Sequence, residues 1–380
     1  MSVLSRLRFP SGIIPTIAAT TAILCLGGGI PHAQAAGPDT STSATGVPAA
    51  SKASPSSQTL EPPAHAPGPA PSPADMRTVT DDDGKTVKIP SSPERIVVMH
   101  EPLLGIPLMD LGLAPIGAYG RNREGGFVTA VDFIDTVFGP GHAKPQGFGA
   151  LGQIDLERLR TLKPDLIVGS RLDIGKRDQL ASVAPVYIQN GDQQHVCGFG
   201  VETDLARVLG RQKAYDERLK IYEEQLATVK GKLPPLPDGH RQRTYLAVLL
   251  TDQINVVGCL SGGIQALRDL GYTQLQTGGR AESGKLGSTL MAPISAEAFG
   301  KLDPDLLVIM NNYTKTADAE SGARASLDRI LPGWERFMRP AQEGRVLFMD
   351  SSQVTTPSIQ SALHALDAVQ GWAVGNRNRP

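Results

Sequence analysis

The sequence predicts an α/β protein of two similar lobes, each built on a parallel sheet, joined by one long helix. Three observations carry that prediction. Short apolar runs of strand length alternate with helical stretches along most of the chain, the order that feeds parallel sheets. The unit Ile154 to Val168 recurs as Ile294 to Val308 at a constant offset of 140. After the first copy, Tyr215, Leu219, Tyr222, Leu226, Val229 and Leu233 step by fours and threes, the apolar face of one long helix.

The first 35 residues read as an export signal. Arg6 and Arg8 precede a nearly uncharged run from Ile13 to Ile30, and Ala33-Gln34-Ala35 supplies the small-x-small cleavage pattern. A membrane anchor is the competing reading; Pro15 and the Gly27-Gly28-Gly29 run interrupt a stretch that needs about 20 apolar residues to span. Leu24, not a small residue, precedes Cys25, so release without a lipid anchor is expected. Residues 36–75 are rich in Ala, Pro, Ser and Thr. They bury too little apolar surface to offset ordering entropy and read as a disordered tether.

The N-terminal lobe is expected over 76–200. Thr78 to Thr80 and Thr86 to Ile89 flank an Asp83-Gly84 turn and read as a hairpin. Strands follow at Arg95 to Met99, Pro115 to Tyr119, Leu166 to Gly169 and Pro185 to Ile188, with helices at Leu103 to Leu111, Leu156 to Leu162 and Asp178 to Val183. The interlobe helix falls within 201–235 and stops at Pro234-Pro235. The C-terminal lobe, 236–376, offers strands at Thr244 to Leu250, Asp305 to Met310 and Arg345 to Met349. Its helices are Gly263 to Leu270, Ala296 to Leu302 and Ile359 to Val374. A Pro-Asp pair alone is ordinary helix-to-strand punctuation. Glu157 and Glu297, each seven residues before its proline, turn the match into a repeat.

Composition excludes some chemistry. A formal net charge of −1 gives no electrostatic footprint for nucleic acid. Gly279 to Leu286 nearly spells a phosphate-binding loop, but Leu286 stands where a magnesium-holding hydroxyl is required. Gly258 to Gly262 misplaces its serine for a nucleophile elbow. No catalytic residue is assigned. Once the signal is removed, Cys197 and Cys259 remain; one disulfide and two buried free thiols are both open.

Residues 78 to 99, the paired Glu-to-Pro-Asp-Leu units, the stretch Val201 to Lys232 and Arg345 to Asp350 resemble the class III periplasmic binding proteins of ABC importers for iron siderophores, haem and vitamin B12. The resemblance runs from about residue 77 to 376. It implies two Rossmann-like parallel-sheet lobes joined by one long rigid α-helix, with ligand held between them at the carboxyl ends of the strands. By motif position, Glu157 and Glu297 would dock into an inner-membrane ABC permease dimer; each alone is equally a solvated glutamate at a helix start.

Strand-end logic then gives the ligand-binding candidates His100, Tyr119, Arg121, Arg171, Asn311 and Tyr313, with Glu101, Arg123, Asn312 and the loop Gly284 to Thr289 beside them. Arginine forks suit anionic oxygens and tyrosine offers an apolar body with a polar tip. Each, taken singly, is equally a solvated loop-end residue. The expected ligand is an Fe(III)-siderophore complex, bound by a periplasmic monomer with no resident cofactor or protein metal site. Hydroxamate receptors carry an Arg in the loop read here as Gly147 to Gly152 and a Trp at the place of Leu286, and ferric-citrate receptors carry a basic residue in the first loop, so neither citrate nor simple hydroxamate recognition carries over. Haem, cobalamin or metal-ion receptors of the same fold, and a periplasmic enzyme releasing iron from a siderophore, are the alternatives.

Overall fold

The computed structural model describes residues 75–126, 131–149, 153–190, 196–235, 242–275, 291–313 and 319–377. The expected export signal, the tether to residue 74, the loop Gly284 to Thr289 and the phosphate-loop lookalike lie outside them. All described residues belong to one compact unit. None of its helices is long and apolar enough to cross a membrane, among the described residues.

The chain opens with an antiparallel hairpin, β1 (Met76–Thr80) and β2 (Thr86–Pro90). Gly84 supplies the left-handed turn position at φ 76°. Five short strands then form an all-parallel sheet: β3 (Ile96–Val98), β4 (Gly117–Ala118), β5 (Gln146–Gly147), β6 (Leu166–Ser170) and β7 (Val186–Gln189), in the order β5-β4-β3-β6-β7. Their apolar runs are buried on both faces, as parallel sheets demand. Val97 and Met99 pack to one side while Ile96 and Val98 pack to the other.

The segment 201–235, expected as the interlobe helix, holds two helices, Gly200–Leu209 and Gln212–Lys230. Gly210, left-handed at φ 65°, separates them. Tyr215, Tyr222 and Val229 of the longer helix are its buried stripe.

The second sheet contains β8 (Arg243–Leu250), β9 (Ile254–Val257), β10 (Tyr272–Gln274), β11 (Met291–Ile294), β12 (Leu306–Met310) and β13 (Val346–Met349). β10, β12 and β13 run parallel to β8, but β9 and β11 are antiparallel. The expected parallel sheet is therefore mixed, because a tight turn at Thr251–Gln253 folds β9 straight back onto β8. The closing helix is Ile359–Arg377. One continuous core runs from Val98 and Val168 through Tyr215, Tyr222 and Val229 to Tyr245, Ala247 and Val308. The two sheets thus share one buried apolar core with the helices Gly200–Leu209 and Gln212–Lys230.

The repeat acquires a physical meaning here. The Asp165 carboxylate accepts from the backbone N–H groups of Glu94 (2.8 Å) and Arg95 (3.0 Å), pinning the start of β3 to its neighbour β6. The Asp305 carboxylate accepts from the N–H (2.8 Å) and hydroxyl (2.9 Å) of Thr244, pinning the start of β8 to β12. Both Pro-Asp-Leu units are strand latches at equivalent places in their lobes.

Candidate functional site

The carboxyl ends of the two sheets converge on one seam. After β4 the chain returns through Val131 and the short helix Phe133–Phe138, capped by Asp132. The N–H of Val131 donates to the Tyr313 carbonyl (3.2 Å), and the Phe133 and Tyr313 rings lie 5.3 Å apart. Tyr313 follows β12, so a loop beyond one sheet grips a loop beyond the other. His364 of the closing helix adds a third contact, its Nε2 lying 2.7 Å from the Val137 carbonyl.

Arg121, expected to bind ligand, serves the fold instead. It is 1% exposed, and its Nε and Nη2 grip the Glu101 carboxylate, with Nη2 to Oε1 at 2.6 Å. Nη1 and Nη2 each reach Asp132 at 2.8 Å, and Nη1 also donates to the Gly125 carbonyl. A guanidinium has five donors, and these five contacts use them all. Lys144 completes the cluster on Asp132 (3.2 Å) and Asp135 (2.5 Å). Burial raises the Glu101 carboxyl above its ordinary range despite Arg121. At the less enclosed Asp132, burial opposes ionisation but is outweighed by Arg121 and Lys144, which hold it at about 2. Gly147 lets this turn close: a methyl there would sit 1.8 Å from the Arg121 carbonyl oxygen.

The other expected ligand residues divide by environment. Asn311 is 4% exposed and accepts from the Ser351 N–H at 3.0 Å, an internal brace. Tyr119 is buried, stacked on Phe148 at 5.9 Å. Tyr313 is half-buried and its hydroxyl meets the Thr355 hydroxyl at 3.1 Å. His100 is half-buried; its Nδ1 accepts from the Leu103 N–H (3.2 Å), and burial, opposed by a backbone hydrogen bond, lowers the ring to about 4, leaving a neutral imidazole. Arg171 is exposed at the end of β6. Sequence reasoning missed Lys176, whose ammonium lies 5.7 Å from the Tyr119 ring centroid, and Phe133. Neither has a local signal, since each takes its place from the tertiary fold.

Behind the seam, two buried carboxylates hold the start of the closing helix. Glu202 accepts from the Ile359 N–H (2.7 Å) and Asp110 from the Gln360 N–H (2.6 Å), the donors a helix N-terminus leaves open. Arg218 pairs with Asp110 at 2.6 Å. Cys197 and Cys259 are joined by a disulfide, Cα to Cα 4.9 Å, which ties the segment before the helix Gly200–Leu209 to the segment after β9. Glu157 and Glu297 are both exposed in the first turns of the helices Leu156–Thr161 and Ala296–Phe299. Glu297 pairs with Lys301 at 2.6 Å.

Comparison with known proteins agrees with this layout. The periplasmic binding protein family model matches residues 130–353. A Bacillus subtilis protein named as an ABC transporter substrate-binding lipoprotein, YhfQ, is 26% identical over 77% of this chain and 87% of its own. The Fe(3+)-citrate-binding protein YfmC of the same organism is 25% identical over 64% of this chain and 70% of its own. Among solved structures, Staphylococcus aureus SirA complexed with staphyloferrin B superposes with a TM-score of 0.58 at 18% identity, covering 78% of this chain and 98% of that one. With its repeated latches, its two sheets meeting at their carboxyl ends and the family match across more than half its length, this chain belongs to the periplasmic binding protein family.

Proposed function

We propose that this chain is the periplasmic receptor of an ABC importer, binding a ferric siderophore or a closely related ferric chelate and delivering it without chemical turnover. The observation that carries the reading is the convergence of two repeat-related lobes at the ends of their strands, where Phe133 meets Tyr313. Open α/β sheets bind ligands at that edge. The ligand class is supported by relatives named for ferric citrate and ferric anguibactin. Exposed Glu157 and Glu297 mark one docking point on each lobe, where charge complementarity would orient the receptor on its permease.

Uptake of radiolabelled ferric chelates by cells lacking the chromosomal copy and carrying a plasmid copy tests this reading. Wild type is expected to restore uptake of one chelate. Glu157→Ala with Glu297→Ala is expected to abolish uptake while the purified protein still binds that chelate. Full uptake by the double variant would remove the docking assignment, and no uptake of any ferric chelate with wild type would remove the receptor assignment.

A further inference from the structure

Among the described cations at the N-terminal sheet's carboxyl edge, Lys176 is the one set over an aromatic ring. It closes the 3-10 turn Arg171–Lys176 that follows β6. Its ammonium nevertheless lies over Tyr119, which follows β4. The sheet order puts β3 between those strands, so the side chain bridges two strand spacings, about 10 Å. It therefore crosses the carboxyl edge of the N-terminal sheet.

The acids nearby are already committed. Glu101 and Asp132 hold Arg121. Asp173, in the same turn as Lys176, accepts from the N–H and hydroxyl of Ser170 at 2.9 and 2.8 Å. The adjacent Arg177 points to the hairpin and pairs with Asp81 (2.6 Å) and Asp83 (3.0 Å). Among the described residues Lys176 has no carboxylate partner and only an aromatic face. A ring face within about 6 Å attracts a cation but supplies no acceptor for its N–H groups. Tyr119 and Phe148 are 6% and 1% exposed, so they seat the ammonium rather than the ligand.

Resting on the receptor reading above, we infer that Lys176 is a specificity-determining ligand residue and that the bound chelate presents an anionic oxygen, carboxylate or catecholate, to it. Arg121, with every donor spent, is not that group. A charge-assisted hydrogen bond at such a half-buried position corresponds to about a tenfold affinity effect.

The test is calorimetric titration of the mature protein, Lys176→Met and Lys176→Arg with ferric citrate, a ferric tris-catecholate and a neutral ferric trihydroxamate, at low and high salt. Matching thermal melts check that the variants fold. The expected result is that wild type binds an acidic chelate, Lys176→Met binds it about tenfold or more weakly, and Lys176→Arg stays within about threefold. The two acidic chelates distinguish carboxylate from catecholate. Unchanged affinity in Lys176→Met, equal loss for acidic and neutral chelates, or wild-type binding of the neutral chelate alone would overturn the assignment while leaving the receptor reading intact. Binding of no ferric chelate by wild type would overturn the receptor reading and this assignment with it.

Discussion

Two of the buried charge clusters, around Arg121 and around Glu202, are built on different balances. Around Arg121, two carboxylates surround one guanidinium whose five donors are all satisfied, with Lys144 adding a second cation. Around Glu202, two carboxylates face one guanidinium, Arg218, which ion-pairs with Asp110 and donates from Nη2 to the Gln360 side-chain oxygen. The Glu202 Oε1 finds no donor among the described residues and faces the Asp110 carboxyl. Burial raises Glu202 well above its ordinary range, and the Asp110 charge raises it further. Burial also raises Asp110, against the pull of Arg218 and His364. Tyr215 faces Glu202 as well and carries no charge to offset it. The first cluster sets the shape of a loop through complete hydrogen bonding; the second leaves one buried carboxylate oxygen without a donor among the described residues.

The largest expected effect comes from breaking the compensated cluster. Arg121→Met removes the donors of the buried Glu101 carboxylate and the half-buried Asp132 and is expected to cost about 3–5 kcal/mol, measured as a shift in the urea midpoint. A cost below about 1 kcal/mol would show the cluster to be dispensable. Next is the covalent tie beside the acid pair. Cys197→Ser with Cys259→Ser opens a loop of 62 residues' separation and is expected to cost about 2–4 kcal/mol, with the same loss in the reduced wild type.

A smaller effect of opposite sign is expected from Glu202→Gln. The amide keeps an acceptor for the Ile359 N–H and removes the excess charge, so at pH 8 the variant is expected to be more stable by about 1 kcal/mol or more. The sign follows from linkage. Carboxyls raised in the folded state contribute stability that is fully present below their unfolded values, 4.5 for Glu202 and 3.8 for Asp110, and is lost as pH rises through the folded values. Asp132 acts the other way: its contribution is present above 3.8 and lost as pH falls through about 2. Melting curves of wild type are therefore expected to gain from pH 8 to pH 5, and Glu202→Gln to flatten that gain. An equal slope in both proteins would remove Glu202 from the account. The smallest effect is Lys301→Ala, whose pair with Glu297 is 71% and 82% exposed; no change in melting temperature is expected.

Much of the fold was legible because it rests on local patterns. Continuous apolar runs of strand length at Arg95 to Met99 and Asp305 to Met310 placed the central strands within a residue or two, and the paired Pro-Asp units lie at both latches. The antiparallel return of β9 was not legible, since a four-residue run (Ile254–Val257) carries no direction. The site was less readable than the fold. Strand-end position identifies which residues lie near the seam, but Arg121 and Arg171 look alike in sequence. Only the acids of Glu101 and Asp132, 20 and 11 residues away, decide that one turns inward while the other remains exposed. Lys176 reaches Tyr119 because the sheet order is β4-β3-β6, a fact no window of sequence contains.

The central claim is that the seam holds one ferric chelate. Trp334 is packed on the far face of the C-terminal sheet and Trp372 sits late in the closing helix, its Nε1 donating to Gly344. Mass is therefore a better reporter than tryptophan emission. Native mass spectrometry of the mature protein with ferric catecholate, ferric hydroxamate, ferric citrate, haem and cobalamin, each beside its metal-free form, is the most direct test. The account predicts saturable one-to-one binding of one ferric chelate, recovered chemically unchanged. Binding of none of them, or recovery of an altered chelate, would contradict it.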